Sequence, residues 1–136
     1  MADTLKLEIV TPAAVVYSED VEMVTMPAAD GQIGVLPHHV RLLTRVVPGE
    51  IAVRKNGEQL FLAVGEGLVE ITGDHVSIVT DMAVKAKDVD EARAEEARQR
   101  AAARLKDKLA DEEVASVNAA LARSLAQLEV KRRRHV

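Results

Sequence analysis

All seven glycines and all four prolines of this 136-residue chain lie before Lys87. Glycine permits tight turns and proline breaks helices, so their absence from residues 88–136 constrains the fold strongly. The chain should turn often in its first part and scarcely at all in its last. Two units are predicted: a turn-rich one over residues 1–87 and a helical one over residues 88–136.

The hydropathy period changes at the same place. Between Leu5 and Asp81 the segments "LKLEIV", "VEMVTM", "EIAVRK", "QLFLAV", "LVEIT" and "HVSIV" are short and β-like. "PGE", "KNGE", "GEG" and "TGDH" punctuate them, and Asn56-Gly57 and Gly73-Asp74 are strong tight-turn pairs. Short strands joined this way predict a β-sandwich or barrel, and roughly 85 residues suffice for one small core. After Lys87 the alternation stops. Asp88, with Glu91 three residues on, reads as a capping box opening a first helix. Its apolar stripe is thin: Val89, Ala92, Ala97, Ala101, Leu105 and Leu109. A second helix starting near Asp111 carries a stronger one, Val114, Val117, Leu121, Leu125 and Leu128. The short break around "LADEE" predicts an antiparallel helical hairpin, so the fold class is α+β.

Charge divides with the pattern. Residues 1–87 hold 7 basic and 12 acidic residues, net −5; residues 88–136 hold 11 and 10, net +1. Short isolated helices are marginal in water, and an alanine-lined stripe buries little area. The hairpin should therefore be weakly held and mobile.

Several function classes are disfavoured. A net charge of −4 argues against a general nucleic-acid binder, despite the basic run from Lys131 to Arg134. One Phe, one Tyr and no Trp leave nothing for base stacking. Without cysteine there are no disulfides, thiolate metal sites or cysteine nucleophiles. "MADTLKLEIV" does not read as a signal peptide, and no apolar run approaches the roughly 20 residues that span a bilayer. A soluble, cytoplasmic protein is expected. No phosphate-cradling G-x-x-x-x-G-K-[ST] loop occurs, and "GEGLVE" at Gly65–Glu70 reads as a turn into a strand. His38-His39 would point to opposite faces of a strand, which suits a turn or packing role better than a metal. Glu95-Glu96 reads as a solvated helix face, since acid–base work needs desolvation. No catalytic residue, metal ligand or required cofactor is expected. "AADGQIGVLPHHVRLLT", Ala28 to Thr44, has two readings: strand–turn–strand with Ile33, Val35 and Leu36 packed inward, or an exposed docking edge.

These segments together resemble a known family. "GQIGVLPHH", Gly31 to His39, resembles the G-x-[IL]-G-[IV]-x-x-x-H loop of the epsilon subunit of bacterial F-type ATP synthases. "LLT" at Leu42–Thr44 and "PGEI" at Pro48–Ile51 follow at the family's distances. "VDEARA", Val89 to Ala94, resembles its [IL]-D-x-x-R-A motif, and "LARSLAQLEV" the end of its second helix. The resemblance covers essentially the whole chain. It implies a ten-stranded sandwich of two sheets followed by the two-helix hairpin. It also implies a non-catalytic rotor role in the central stalk of a proton-translocating synthase. That places the chain peripherally, at the cytoplasmic face of the bacterial inner membrane, as part of the complex.

The implied partners are the gamma subunit and the c-ring, with the catalytic beta subunits added when the hairpin extends. The c-ring contact maps to Gly31, Gln32, Ile33 and Gly34 with His39, Gln32 standing where an acidic residue is frequent. The hairpin, folded down or extended, implies inhibition of ATP hydrolysis, with Arg98, Arg104, Lys106, Lys108 and Arg123 as contacts to an acidic partner. In some relatives the "VDEARA" region binds regulatory ATP, which maps here to Val89, Asp90, Arg93, Ala94 and Arg100. Two departures stand against that site. Val84 and Lys85 occupy the place of an acidic contact, and Gln127 that of a late arginine, although Arg123 lies one turn earlier. The rival reading is a free-standing ATP-sensing module.

Overall fold

The computed structural model describes residues 3–107 and 109–133. Within them the strands are β1 Leu5–Val10, β2 Val15–Val21, β3 Met23–Ala28, β4 Gly31–Val35, β5 Leu42–Val46, β6 Gly49–Lys55, β7 Glu58–Val64, β8 Gly67–Ile71, β9 His75–Thr80 and β10 Ala83–Lys85. A one-turn 3-10 helix at Ala86–Asp88 leads into α1 Glu91–Arg104 and α2 Asp111–Arg133. The expected α+β architecture, ten strands and then a helical hairpin, is the one adopted. The sheet runs β10-β7-β6-β3-β5-β8-β9-β1-β2, with β4 on β3. β1 and β9 pair in parallel and the other neighbours antiparallel. The β3–β5 seam consists of one pair, Ala28 with Val46, and through it the ten strands form one continuous sheet.

Period-two alternation supplies the interior. In β1, Leu5, Leu7 and Ile9 point inward at 2%, 0% and 0% exposure, while Lys6 and Glu8 face outward. Val24, Met26, Val46, Ile51, Leu62, Val69, Ile71 and Ile78 join them in one core. Each such aliphatic side chain contributes about 1.5–3 kcal/mol on burial. The Asn56-Gly57 turn behaves as its sequence demands: both residues take positive φ, 53° and 78°, and β6–β7 pairing runs unbroken from Lys55–Glu58 to Gly49–Val64. Gly67 answers a different need, because a β-carbon there would lie 2.0 Å from the Val79 carbonyl oxygen.

The segment from Ala28 to Thr44 combines both of its readings. Residues 31–35 form a strand on β3, with Val35 buried and Ile33 packed against the core. Leu36, expected inside, is 57% exposed, because the strand ends at Val35 and the chain turns away. The two histidines lie in that turn and not on a strand. His38 has φ of 70°, its N–H bonds to the Gly73 carbonyl at 2.6 Å and its Nε2 meets Asp3 at 3.2 Å.

The hairpin forms with small corrections. Asp88 is not the cap: it ends the 3-10 turn, closed by the Val89 N–H on the Ala86 carbonyl, and Val89 is extended. Asp90 caps α1 instead, its Oδ1 accepting the Arg93 N–H at 3.1 Å. With the start moved, Ala94 is buried and Ala92 exposed. α2 lies across β6 and β7 and seats on a second apolar cluster of Ala63, Val89, Ala126 and Val130, flanked by Phe61, Met82, Val84 and Ala86. Leu125, expected on the buried stripe, is 45% exposed. Alanine at 126 lets the helix backbone approach the sheet, and its neighbour is then rotated by about 100°.

Candidate functional site

Capping by Asp90 puts Arg93 at the third position of α1. Arg100, seven residues on, is about two turns away and hence on the same side. Between α1, α2 and the linker lies a cleft of about 360 Å³. Strand β10 contributes Val84, the linker Asp88 and Val89, the cap of α1 Asp90, and α1 itself Arg93, Ala94, Ala97 and Arg100. Ser124 and Gln127 close it from α2. The residues Val89, Asp90, Arg93, Ala94 and Arg100, mapped from the sequence, thus converge on one concavity. Of the residues that depart from the family's pattern, Val84 and Gln127 line it too and Lys85 does not.

Ion pairing separates these arginines from the rest of the hairpin. Arg98 pairs with Glu95, Arg104 with Glu113 at 3.5 Å, and Arg123 with Asp81 at 3.2 Å. Arg132 holds Glu91 at 2.8 Å and Glu95 at 3.1 Å. Hydrogen bonds, first from Arg98 and then from Gln99 and Arg132, bring the Glu95 carboxyl from its usual 4.5 down to about 2. The guanidinium groups of Arg93 and Arg100 have no ion-pair or hydrogen-bond partner among the described residues. The cleft therefore presents two uncommitted planar cations, Arg93 in the first turn of α1 and Arg100 about two turns on, with Asp88 and Asp90 among its other lining residues. Bidentate guanidinium forks suit phosphate oxygens, while a carboxylate oxygen can accept from an amino or hydroxyl group. Three lining residues escaped the sequence reading. Asp88 was taken for a cap, Ala97 for packing, and Ser124 was not singled out, although a three-residue helical step joins it to Gln127.

The other mapped residues are dispersed. Gly31, Gln32 and Gly34 are exposed on the β3–β4 hairpin, and Ile33 is half-buried. Half-buried His39 lies beyond the strand, its Nδ1–H donating to the Val40 carbonyl at 2.6 Å. Of the basic residues expected to grip a partner, Arg98, Arg104 and Arg123 are already paired within the chain and Lys106 is exposed. Lys108 lies outside the described residues. No group of three or more metal-ligating side chains occurs among the described residues, and no helix among them is long and apolar enough to cross a membrane.

A further surface was not anticipated. Leu68 pairs with Val79, Val79 with Val10, and Val10 with Val15, so the four form one row across β8, β9, β1 and β2. Leu68, Val79 and Val15 are 54%, 56% and 60% exposed. Leu43, on the neighbouring β5, extends the same outer face at 68%. These side chains make the outer face of that part of the sheet apolar.

Comparison with known proteins gives a consistent result. Residues 4–86 match the family model "ATP synthase, Delta/Epsilon chain, beta-sandwich domain", and residues 87–132 match "ATP synthase, Delta/Epsilon chain, long alpha-helix domain". The ATP synthase epsilon chain of Herpetosiphon aurantiacus is 40% identical over 130 residues, covering 96% of each chain. ATP synthase epsilon chain 2 of Syntrophotalea carbinolica is 44% identical over 131 residues, 96% of this chain and 95% of that one. Among solved structures, a chain of the Euglena gracilis mitochondrial ATP synthase (OSCP/F1/c-ring) superposes with a TM-score of 0.76 at 21% identity. That match covers 93% of this chain and 79% of the other. A chain of the Tetrahymena thermophila central stalk and c-ring gives 0.66 at 11% identity, covering 95% and 97%. At those identities the two superpositions speak for the fold.

Proposed function

This chain belongs to the delta/epsilon family of ATP synthase chains, and from that premise we propose that it is a central-stalk subunit whose two parts divide the work. The sandwich is the coupling part. Its outer apolar strip, Leu43, Leu68, Val79 and Val15, docks on the gamma subunit. The β3–β4 tip at Gly31–Gly34 reaches the c-ring, where Gln32 makes a neutral hydrogen bond in place of a charged contact. The subunit performs no chemistry itself. It rides on the cytoplasmic face of the bacterial inner membrane through the proton-translocating complex.

The hairpin is the regulatory part. Released from its seat, it extends along gamma, and its basic residues meet an acidic segment of the catalytic beta subunits, inhibiting ATP hydrolysis. The observation that carries this reading is the separation of two apolar clusters: the sandwich core closes without the hairpin, which rests outside it on a small alanine-rich seat. Truncation after Lys87 is the test. The expected outcome is retained binding to gamma with inhibition relieved. Loss of gamma binding in the truncated chain overturns the division of labour.

A second reading, ATP sensing by the hairpin, is favoured by the uncommitted Arg93 and Arg100 in one cleft with Asp90. Nucleotide bound there would bridge α1, α2 and the linker and so hold the hairpin down. Calorimetric titration should give saturable ATP binding at or below about 1 mM, about 4 kcal/mol, lost in Arg93→Ala. No binding at several-fold higher concentration, on the order of 5 mM, leaves regulation to rotor contacts alone.

A further inference from the structure

An ion pair crosses the hairpin–sandwich contact. Arg123, midway along α2, donates from Nη1 to Oδ2 of Asp81 at 3.2 Å. Lys131 bonds the Ala86 carbonyl at 3.5 Å, but Ala86 belongs to the linker. Asp81 lies in the turn between β9 and β10, beside the turn joining β7 to β8. Backbone bonds lock the two turns together, Gly65 N–H to the Met82 carbonyl at 2.9 Å and Asp81 N–H to the Glu66 carbonyl at 3.0 Å. Buried Thr80 adds a third tie, its hydroxyl donating to the Glu66 carbonyl at 2.8 Å.

Gly65 makes room for the pair. A β-carbon there would stand 1.9 Å from Oδ1 of Asp81 and 3.4 Å from Cγ of Arg123. The backbone of Gly65 is not in the left-handed region, so space, not conformation, demands glycine. The carboxylate is thus aimed by a rigid double turn into a gap that any other residue would narrow.

From this geometry we infer that Gly65 and Asp81 form a socket for Arg123, and that the socket is the latch setting how firmly the hairpin docks on the sandwich. Arg123 leaves Asp81 behind when the hairpin leaves the sandwich. On the regulatory reading above, on which this consequence rests, Asp81 competes with the hairpin's target for the same guanidinium.

The chain has no cysteine, so Ser18→Cys on the sandwich and Asn118→Cys on α2 can carry an energy-transfer pair in the full-length protein. Urea is added until undocking precedes unfolding of the sandwich. The pair is about one-third exposed at Arg123 and two-fifths at Asp81, so its effect is that of a surface pair. Asp81→Asn and Arg123→Gln should each raise the undocked population about two- to fivefold. The double variant should do no more than either alone, and high salt should mimic them. Gly65→Ala, with both charges present, should move the population the same way. Fully additive single effects, or a Gly65→Ala variant as firmly docked as the parent, overturn the latch. The unfolding midpoint of the sandwich, read separately, guards against a general loss of fold. ATPase inhibition in the assembled complex is a distinct readout. Altered docking with unaltered inhibition supports the latch and overturns the regulatory reading.

Discussion

In the sandwich, Leu7, Ile9, Leu62 and Ile78 are fully buried, whereas the hairpin's seat is made of Ala63, Val89, Ala126 and Val130. The first set removes large aliphatic side chains from water; the second removes mostly small ones. Burial energy follows apolar area, so the sandwich supports itself and the hairpin depends on the surface it lies on. β7 belongs to both regions. Its last three residues, Leu62, Ala63 and Val64, are all buried, because core covers one face and α2 the other. Elsewhere alternation survives because only one face is covered. On the proposed reading, the hairpin leaves its seat without disturbing the fold that carries it.

The comparison is broken most directly in the sandwich core. Leu7→Ala should cost about 2–5 kcal/mol. It should abolish docking as well, since the hairpin loses its platform; urea unfolding followed on strand and helix signals would register both together. Val130→Ala, at the fully buried end of the seat, should cost about 1–2 kcal/mol, confined to docking. A matching fall in the sandwich midpoint would mean that the two regions are one cooperative unit. Asp90→Ala removes the cap of α1 and should cost about 1 kcal/mol, seen as faster amide exchange near Arg93. Asp90→Asn keeps the cap while removing the charge, which separates the structural role from a ligand-binding one. The smallest effect is the pH dependence at Glu95. Its carboxyl is held down at about 2 in the folded chain against 4.5 ordinarily. Its stabilising contribution is therefore present above pH 4.5 and fades as pH falls toward 2. Glu95→Gln should remove that component from hairpin stability measured against pH, leaving the sandwich's profile as it was.

Much of this was legible before any coordinates. The alternation in "LKLEIV" gave β1 to the residue, and Asn56-Gly57 set the β6–β7 hairpin, because both signals act between neighbours. β2 and β10 escaped notice. "VVYSEDV" does not alternate, with three polar residues in a row at Ser18–Asp20, and "AVK" is too short for a period, so only their partners β1 and β7 make them strands. In the candidate site, Asp90, Arg93 and Arg100 were legible from the motif and the helical repeat, whereas Ser124 becomes a wall of the cleft only through the packing of α2.

By itself the sequence determined two units of different period, the turns of the first, and a hairpin with a thin apolar stripe. Those properties follow from backbone preference and side-chain spacing, which act over a few residues. Tertiary structure decided which face of α2 meets the sheet, leaving Leu125 outside and Ala126 within. It also decided which arginines are committed and which are not. Arg123 reaches Asp81 across 42 residues and Arg132 reaches Glu91 across 41, while Arg93 and Arg100 are left facing the cleft. Such pairings depend on where distant segments come to rest, and side-chain spacing along one helix carries no record of that.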